Sequence, residues 1–290
     1  MVFSCVISEE ERGSYVEKFR QSLISERRSP RTIKEYCFLY GNFLKFIKKA
    51  PEECTKKDVE QFKFYLATEK SYSKASQYVS IQAVKAALKS LEIPIPSNLT
   101  PPRRSRKVPN FLSAKEAVAI MQSSSDNISS ATIISLLLHS GMRVSELCNL
   151  KTDDINFDEC SMVIRGGKGD KERIVLVPVD VIDRMKLYHN ETIAKGCISD
   201  FFFVSRKRGR FDTSTIERIV RRSAQKAGIH RKITPHTLRH TFATNILRNG
   251  GDIRFIQTLL GHSSISTTEI YTHIDNDALR EMFRKHGPKY

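Results

Sequence analysis

Tyr271 stands nine residues after His262 in the run GHSSISTTEIYTH, where a tyrosine can attack a DNA phosphodiester. Such an attack needs cations, and the chain supplies them upstream in order: Arg143 in HSGMRVSEL, Lys168 in RGGKGDKERIVLV, and His236 with Arg239 in TPHTLRHTFAT. The reaction has three requirements: an attacking oxygen, charge neutralisation for the non-bridging oxygens as the phosphorane forms, and a proton for the departing 5′ oxygen. Arginine suits the second, because its guanidinium is always charged and its planar fork grips two oxygens at once. Tyrosine suits the first, because the covalent phosphotyrosine conserves the bond energy and lets another hydroxyl reverse the step.

The elements around these residues must bring them together. His236 and Arg239 fall at i and i+3 of a helix opened by Thr234-Pro235, so they share a face near a positive helix end that favours phosphate. Lys168 projects from the tip of a hairpin, where a mobile lysine can protonate the leaving oxygen; Lys171, three residues on, is the alternative. Taken singly, Arg143 reads as a salt-bridged surface arginine, His262 as a helix-end histidine, Lys168 as a solvated turn charge and Tyr271 as a packing tyrosine. The order and spacing of all six overturn those readings. Two routes stay open for the tyrosine's proton: His236 accepts it, or the arginines lower the tyrosine pKa from about 10 so that no dedicated base is needed. His262 is equally placed to donate a hydrogen bond to the phosphate.

The first hundred residues read as a small helical bundle. A helix spans Glu9 to Ile24. Ser29 and Pro30 open a second, with Ile33, Tyr36, Cys37, Tyr40, Phe43, Leu44 and Ile47 on its core face. A third starts at Thr55 with Asp58 in a capping pattern, and a fourth runs from about Lys74 to Leu91. The run IPIPSNLTPPRRSRKVPN, with five prolines, reads as a linker whose Arg103, Arg104, Arg106 and Lys107 could follow a phosphate backbone. The second half is mixed. An apolar helix over Ala131–His139 stops near Gly141, and SMVIR and RIVLVP flank GGKGDKE as a hairpin. Further helices open at Ser214 with Glu217, at Thr234-Pro235 and at Asp252, the last stopping at Gly261; Ser266 with Glu269 caps the turn that carries Tyr271.

Composition narrows the partners. The net charge is +16 with a pI near 9.6, and the excess is spread as +5 over 1–98, +4 over 99–110 and +7 over 111–290, which favours a polyanion met by both halves. The six cysteines (Cys5, Cys37, Cys54, Cys148, Cys160 and Cys197) form no CxxC pair, which argues against a disulfide framework or a zinc site. No GxxxxGK[ST], HExxH, GxSxG or acidic metal triad occurs, so the expected chemistry uses neither ATP, metal nor cofactor. No run approaches the ~18 apolar residues of a membrane span, and MVFSCVISEEERG is acidic where a signal peptide is basic, so a cytoplasmic protein without a membrane partner is expected.

Together these motifs resemble the tyrosine recombinases of the phage integrase family, of the Xer type, in a layout similar to their archaeal members. SGMRVSEL matches the first box with Arg143 and Glu146, GGKGDKER the hairpin lysine with Lys168, and HTLRHTFAT the second box with His236 and Arg239; Gly261-His262 and IYTH with Tyr271 complete the set. The resemblance implies a mainly α (α+β) fold: a four-helix, SAM-like core-binding domain at 1–98, a basic linker at 99–110, and a catalytic domain with a small antiparallel sheet at 111–290. It implies a clamp around double-stranded DNA, and dimers and tetramers on paired dif-like sites. It also implies that each cut proceeds through a 3′-phosphotyrosine and that the end product is resolved chromosome dimers. The segment DALREMFRKHGPKY resembles the C-terminal helix that passes to a neighbouring subunit, a heterologous contact that closes a ring. An integrase or transposon recombinase of a mobile element is the alternative on the same fold; the lack of an extra arm-binding domain points away from it by analogy only. A type IB topoisomerase shares the nucleophile, but the length and the helical first half favour a recombinase. A catalytically inactive DNA-binding architectural protein would have no need of Tyr271 or Lys168.

Overall fold

The computed structural model describes residues 7–102, 110–165, 172–205, 209–260 and 276–290. The chain forms two compact units, Met1–Lys107 and Val108–Tyr290. The basic linker residues Arg103, Arg104, Arg106 and Lys107 lie outside the described residues.

The first unit is built from α1 (Glu9–Ser25), α2 (Pro30–Ile47), α3 (Lys56–Ala67) and α4 (Lys74–Ser90). Each helix starts where a hydroxyl can satisfy an orphan backbone N–H: Ser8, Ser29, Thr55 and Ser73 are the N-caps, and Glu11 and Asp58 complete capping boxes for α1 and α3. The apolar stripe of α2 turns inward as its spacing predicts. Tyr40, Phe43 and Leu44 are buried with Phe19, Phe62 and Leu88, while Ile33, Tyr36, Cys37 and Ile47 pack around them. Phe43 meets Phe62 edge-on, with centroids 5.0 Å apart, the geometry that ring quadrupoles favour.

The second unit contains α5 (Ala114–Ser123), α6 (Ile128–Ser140), α7 (Val144–Asn149), β1 (Ile155–Asn156), β2 (Ser161–Ile164), β3 (Arg173–Leu176), α8 (Val179–Ala194), α9 (Thr213–Lys226), α10 (Pro235–Arg248), α11 (Ile253–Leu260) and α12 (Asn276–His286). Helix α6 is buried on every side, with every residue from Ala131 to Ser140 out of solvent, which makes it the axis of the core. The strands form an antiparallel sheet in the order β1-β2-β3, with Ile164 opposite Arg173 and Ser161 opposite Leu176. This register puts Arg173 at the end of the ladder beside the hairpin connection. Helix α9 starts earlier than Ser214 suggests: Asp212 is the N-cap, its Oδ1 accepting from the Thr215 N–H at 2.7 Å and from the Ser214 hydroxyl at 2.8 Å. A carboxylate outcompetes a hydroxyl for an N-terminal N–H because the charge-assisted bond is stronger.

The chain end folds back on its own unit. Met282 and Phe283 of α12 pack on Phe242, Ile246, Phe255 and Leu259. His286 Nδ1 lies 2.6 Å from the Asn249 carbonyl, and Asn249 Nδ2 donates to the Gly287 carbonyl at 2.8 Å. Tyr290 then stands edge-on to the buried His139 ring at 5.1 Å. The segment implied to reach a neighbour is therefore docked in cis in the isolated chain.

Candidate active site

Lys168 and its alternative Lys171, together with His262 and Tyr271 and the Ser266–Glu269 cap, lie outside the described residues. The described part of the site is a cluster of arginines from the start of α7, from β3 and from α10, gathered at the C-terminal ends of α6 and α11. Thr234 caps α10 and Pro235 occupies its first turn, where the missing N–H costs nothing. One turn on, Arg239 is buried, with 7% of its surface exposed. Its Nη1 donates to the Gly141 carbonyl at 2.6 Å and its Nη2 to the Leu260 carbonyl at 2.7 Å. The planar fork thus joins the C-terminus of α6 to that of α11, two places where helix carbonyls lack intrahelical donors.

Gly141 makes this approach possible. It ends α6 in the left-handed region (φ 60°), and a Cβ there would sit 2.8 Å from Leu260 Cδ2 and against the Phe242 ring. Gly141→Ala combines a strained backbone, worth about 1–2 kcal/mol, with overpacking, worth about 1–3 kcal/mol, so a loss of ~2–5 kcal/mol is expected from urea unfolding. A variant as stable as the parent would show that the α6–α10 contact relaxes freely.

Two residues beyond Gly141, Arg143 is the N-cap of α7. Its backbone N–H donates to Glu146 Oε2 and its Nη1 to Glu146 Oε1, both at 2.7 Å. Glu146 also receives a bidentate pair from Arg173, Nη1 at 2.9 Å and Nη2 at 2.7 Å, and its side chain is only 3% exposed. Burial alone would raise its pKa; the Arg173 bonds, then those of Arg143, overcome that and hold it at about 2. Arg239 shows the converse. Burial above all, and then the nearby charges of Arg143 and Arg173, lower its pKa to about 10 against the opposing pull of Glu146. Two guanidiniums thus bind the Glu146 carboxylate while Arg239, bonded to backbone carbonyls, feels their charges, and the surplus positive charge suits an anion.

His236 is exposed on the first turn of α10, while Arg239 is buried one turn on. His240, also exposed on α10, joins them: partial desolvation, and then His236 and Arg239, lower its pKa. Sequence reasoning missed both His240 and Arg173. The signal for Arg173 was its place as the first strand residue after GGKGDKE, with an acid available at Glu146. Among the described residues no group of three or more His, Cys, Asp or Glu is placed to hold a metal ion, and no helix is long and apolar enough to cross a membrane.

The fold is that of the integrase-type DNA strand-transfer enzymes. It aligns over 96% of this chain and 90% of the other with the crystal structure of XerH site-specific recombinase bound to a difH substrate, at a TM-score of 0.68 and 20% identity, which is a likeness of fold. Residues 110–277 match the phage integrase family and 15–91 its N-terminal SAM-like domain. The chain is 36% identical over 275 residues to the tyrosine recombinase XerA of Pyrococcus furiosus, covering 93% of each. A crystal structure of a XerA recombinase is 48% identical over 96% of this chain and 100% of the other, with a TM-score of 0.53. The chain belongs to the phage integrase family, the tyrosine recombinases.

Proposed function

We propose that this enzyme cuts and rejoins double-stranded DNA at a dif-like site through a 3′-phosphotyrosine on Tyr271, and so resolves chromosome dimers in the cytoplasm. The observation that carries the reading is the cluster of Arg143 and Arg173 on the carboxylate of Glu146 with Arg239 in their electrostatic reach, a half-buried surplus of positive charge fit for a phosphodiester. The Tyr271 oxygen bonds to phosphorus, the bond to the 5′ oxygen breaks, and Lys168 supplies that oxygen's proton. Arg143 and Arg239 hold the non-bridging oxygens, with His262 as a further donor; the tyrosine proton goes to His236, or is lost directly if the arginines lower the tyrosine pKa enough. Attack by a 5′ hydroxyl from the partner strand reverses the step without loss of bond energy.

The relative named tyrosine recombinase XerA supports the Xer-type reading. The net charge of +16 supports binding along the DNA backbone by a core-binding domain at 1–98, a basic linker at 99–110 and a catalytic domain at 111–290. Dimers and tetramers would form by exchange of the C-terminal helix, which requires α12 to leave its cis seat on α10. The decisive test incubates the protein with nicked half-sites carrying candidate dif-like sequences and maps the adduct on denaturing gels. The parent should trap a 3′-linked adduct; Tyr271→Phe should bind the same DNA and trap none. An adduct of undiminished yield from Tyr271→Phe would end the proposal.

A further inference from the structure

Arg173 does more than complete a salt bridge. Its side chain is 10% exposed and its guanidinium makes bonds in two directions: a pair to the Glu146 carboxylate and another, from Nε, to the Leu259 carbonyl at 2.9 Å. Leu259 and Leu260 are the last two residues of α11. Their carbonyls, without acceptor roles inside the helix, are taken by two different guanidiniums, Arg173 from β3 and Arg239 from α10. The chain leaving α11 begins with Gly261-His262, and the chain entering β3 comes from the hairpin that carries Lys168. Arg173 therefore ties the strand after the hairpin, the Glu146–Arg143 pair and the exit of α11 to a single planar group.

The shared carboxylate gives this arrangement a further consequence. Glu146 Oε1 accepts from both Arg143 and Arg173. If Arg143 turned toward a phosphate and Glu146 had no second guanidinium, the move would strand a buried carboxylate, at a cost comparable with the gain. With Arg173 in place Glu146 keeps its bidentate partner.

We propose that Arg173 is a positioning residue of the strand-cleavage reaction: it holds Glu146 so that Arg143 can engage the scissile phosphate, and it fixes the end of α11 from which His262 departs. The proposal rests on the recombinase reading above. A lysine at 173 keeps the charge but cannot span two carboxylate oxygens and a carbonyl at once.

The test compares the parent, Arg173→Lys, Glu146→Gln and Arg173→Lys/Glu146→Gln on the same nicked half-site, reading DNA affinity, single-turnover adduct rate and thermal unfolding separately. For Arg173→Lys the adduct rate should fall on the order of 10- to 100-fold, the scale of a sub-ångström to ångström misplacement, while affinity stays within about threefold. In the Glu146→Gln background the lysine substitution should cost much less, because the two residues act through one contact. The rate for Arg173→Lys should also fall more steeply than the parent's as the pH drops toward about 5, since Glu146 loses its better partner and its pKa returns toward the ordinary carboxylate range. An adduct rate within about twofold of the parent would overturn the proposal, as would a loss that is undiminished in the Glu146→Gln background. Should Arg173→Lys not fold, Arg173→Gln/Glu146→Gln removes both buried charges together and carries the test; parental cleavage by that pair would overturn it. If the parent traps no adduct at any candidate site, the recombinase reading itself falls; if the parent does and Arg173→Lys matches it, only the role of Arg173 falls.

Discussion

Arg239→Lys is expected to lower the single-turnover rate of covalent adduct formation by roughly 10²- to 10³-fold, the usual effect of removing one preorganised donor from a developing oxyanion. The size follows from where Arg239 sits. Its fork bridges the Gly141 and Leu260 carbonyls from a position only 7% exposed. A lysine offers one nitrogen, which can serve one of those carbonyls but not both while also facing a phosphate. Burial and the neighbouring Arg143 already depress the pKa of the guanidinium to about 10. An ammonium in the same place starts from a lower pKa and is pushed toward its neutral form. The substitution should also weaken folding by about 1–3 kcal/mol, because a helix-end carbonyl loses its donor. DNA affinity, if set by many backbone contacts as the net charge of +16 suggests, should change far less. Adduct formation within a few fold of the parent, measured with saturating protein, would show that Arg239 is a structural clamp and no part of the charge-neutralising machinery.

Local rules made much of this fold legible. The caps at Ser29-Pro30, Thr55 with Asp58, and Thr234-Pro235 each name a helix start, because an orphan N–H has few partners other than a nearby hydroxyl or carboxylate. Gly141 was legible as a helix stop, yet no local pattern reveals that Phe242 and Leu260, both distant along the chain, press against it. The hairpin was legible from GGKGDKE, whereas the two-residue β1 carries too little pattern to stand out. Helix α8 was not anticipated, although Val181, Ile182, Met185 and Tyr188 recur at helical spacing in it. The candidate site divides the same way. Arg143, His236 and Arg239 announce themselves within short motifs, but Arg173 acquires its meaning only from a carboxylate 27 positions earlier and a carbonyl 86 positions later. The cis seat of α12 is invisible for a related reason: an amphipathic helix presents the same apolar face whether its partner belongs to its own chain or to another.

Removing Glu146 should destabilise the second unit more than any other single change to the cluster. Glu146→Ala takes the bidentate carboxylate away from Arg173, whose side chain is 10% exposed, and breaking a buried pair in this way costs about 3–5 kcal/mol. The pH dependence provides a sharper signature. The carboxyl is held at about 2 against an ordinary 4.5, so the unfolded chain binds the proton first as the medium becomes acidic. Its contribution, ~3 kcal/mol by linkage, is fully present above about pH 4.5 and is lost as the pH falls through 4.5 toward 2. Glu116, held at about 2 mainly by Arg231 although burial opposes this, titrates in the same window. The useful quantity is therefore the difference between the parent and Glu146→Gln in urea unfolding at matched pH. That gap should be widest near neutrality and should narrow steadily between pH 4.5 and 2, while Glu116 contributes equally to both proteins. A gap that stays constant across this range would mean that Glu146 is not held ionised by the arginines. The same variant separates folding from chemistry. The amide that Glu146→Gln introduces can still accept a bond from Arg173, but it no longer offers Arg143 a negative charge to anchor against, so cleavage should fall further than stability alone accounts for at neutral pH.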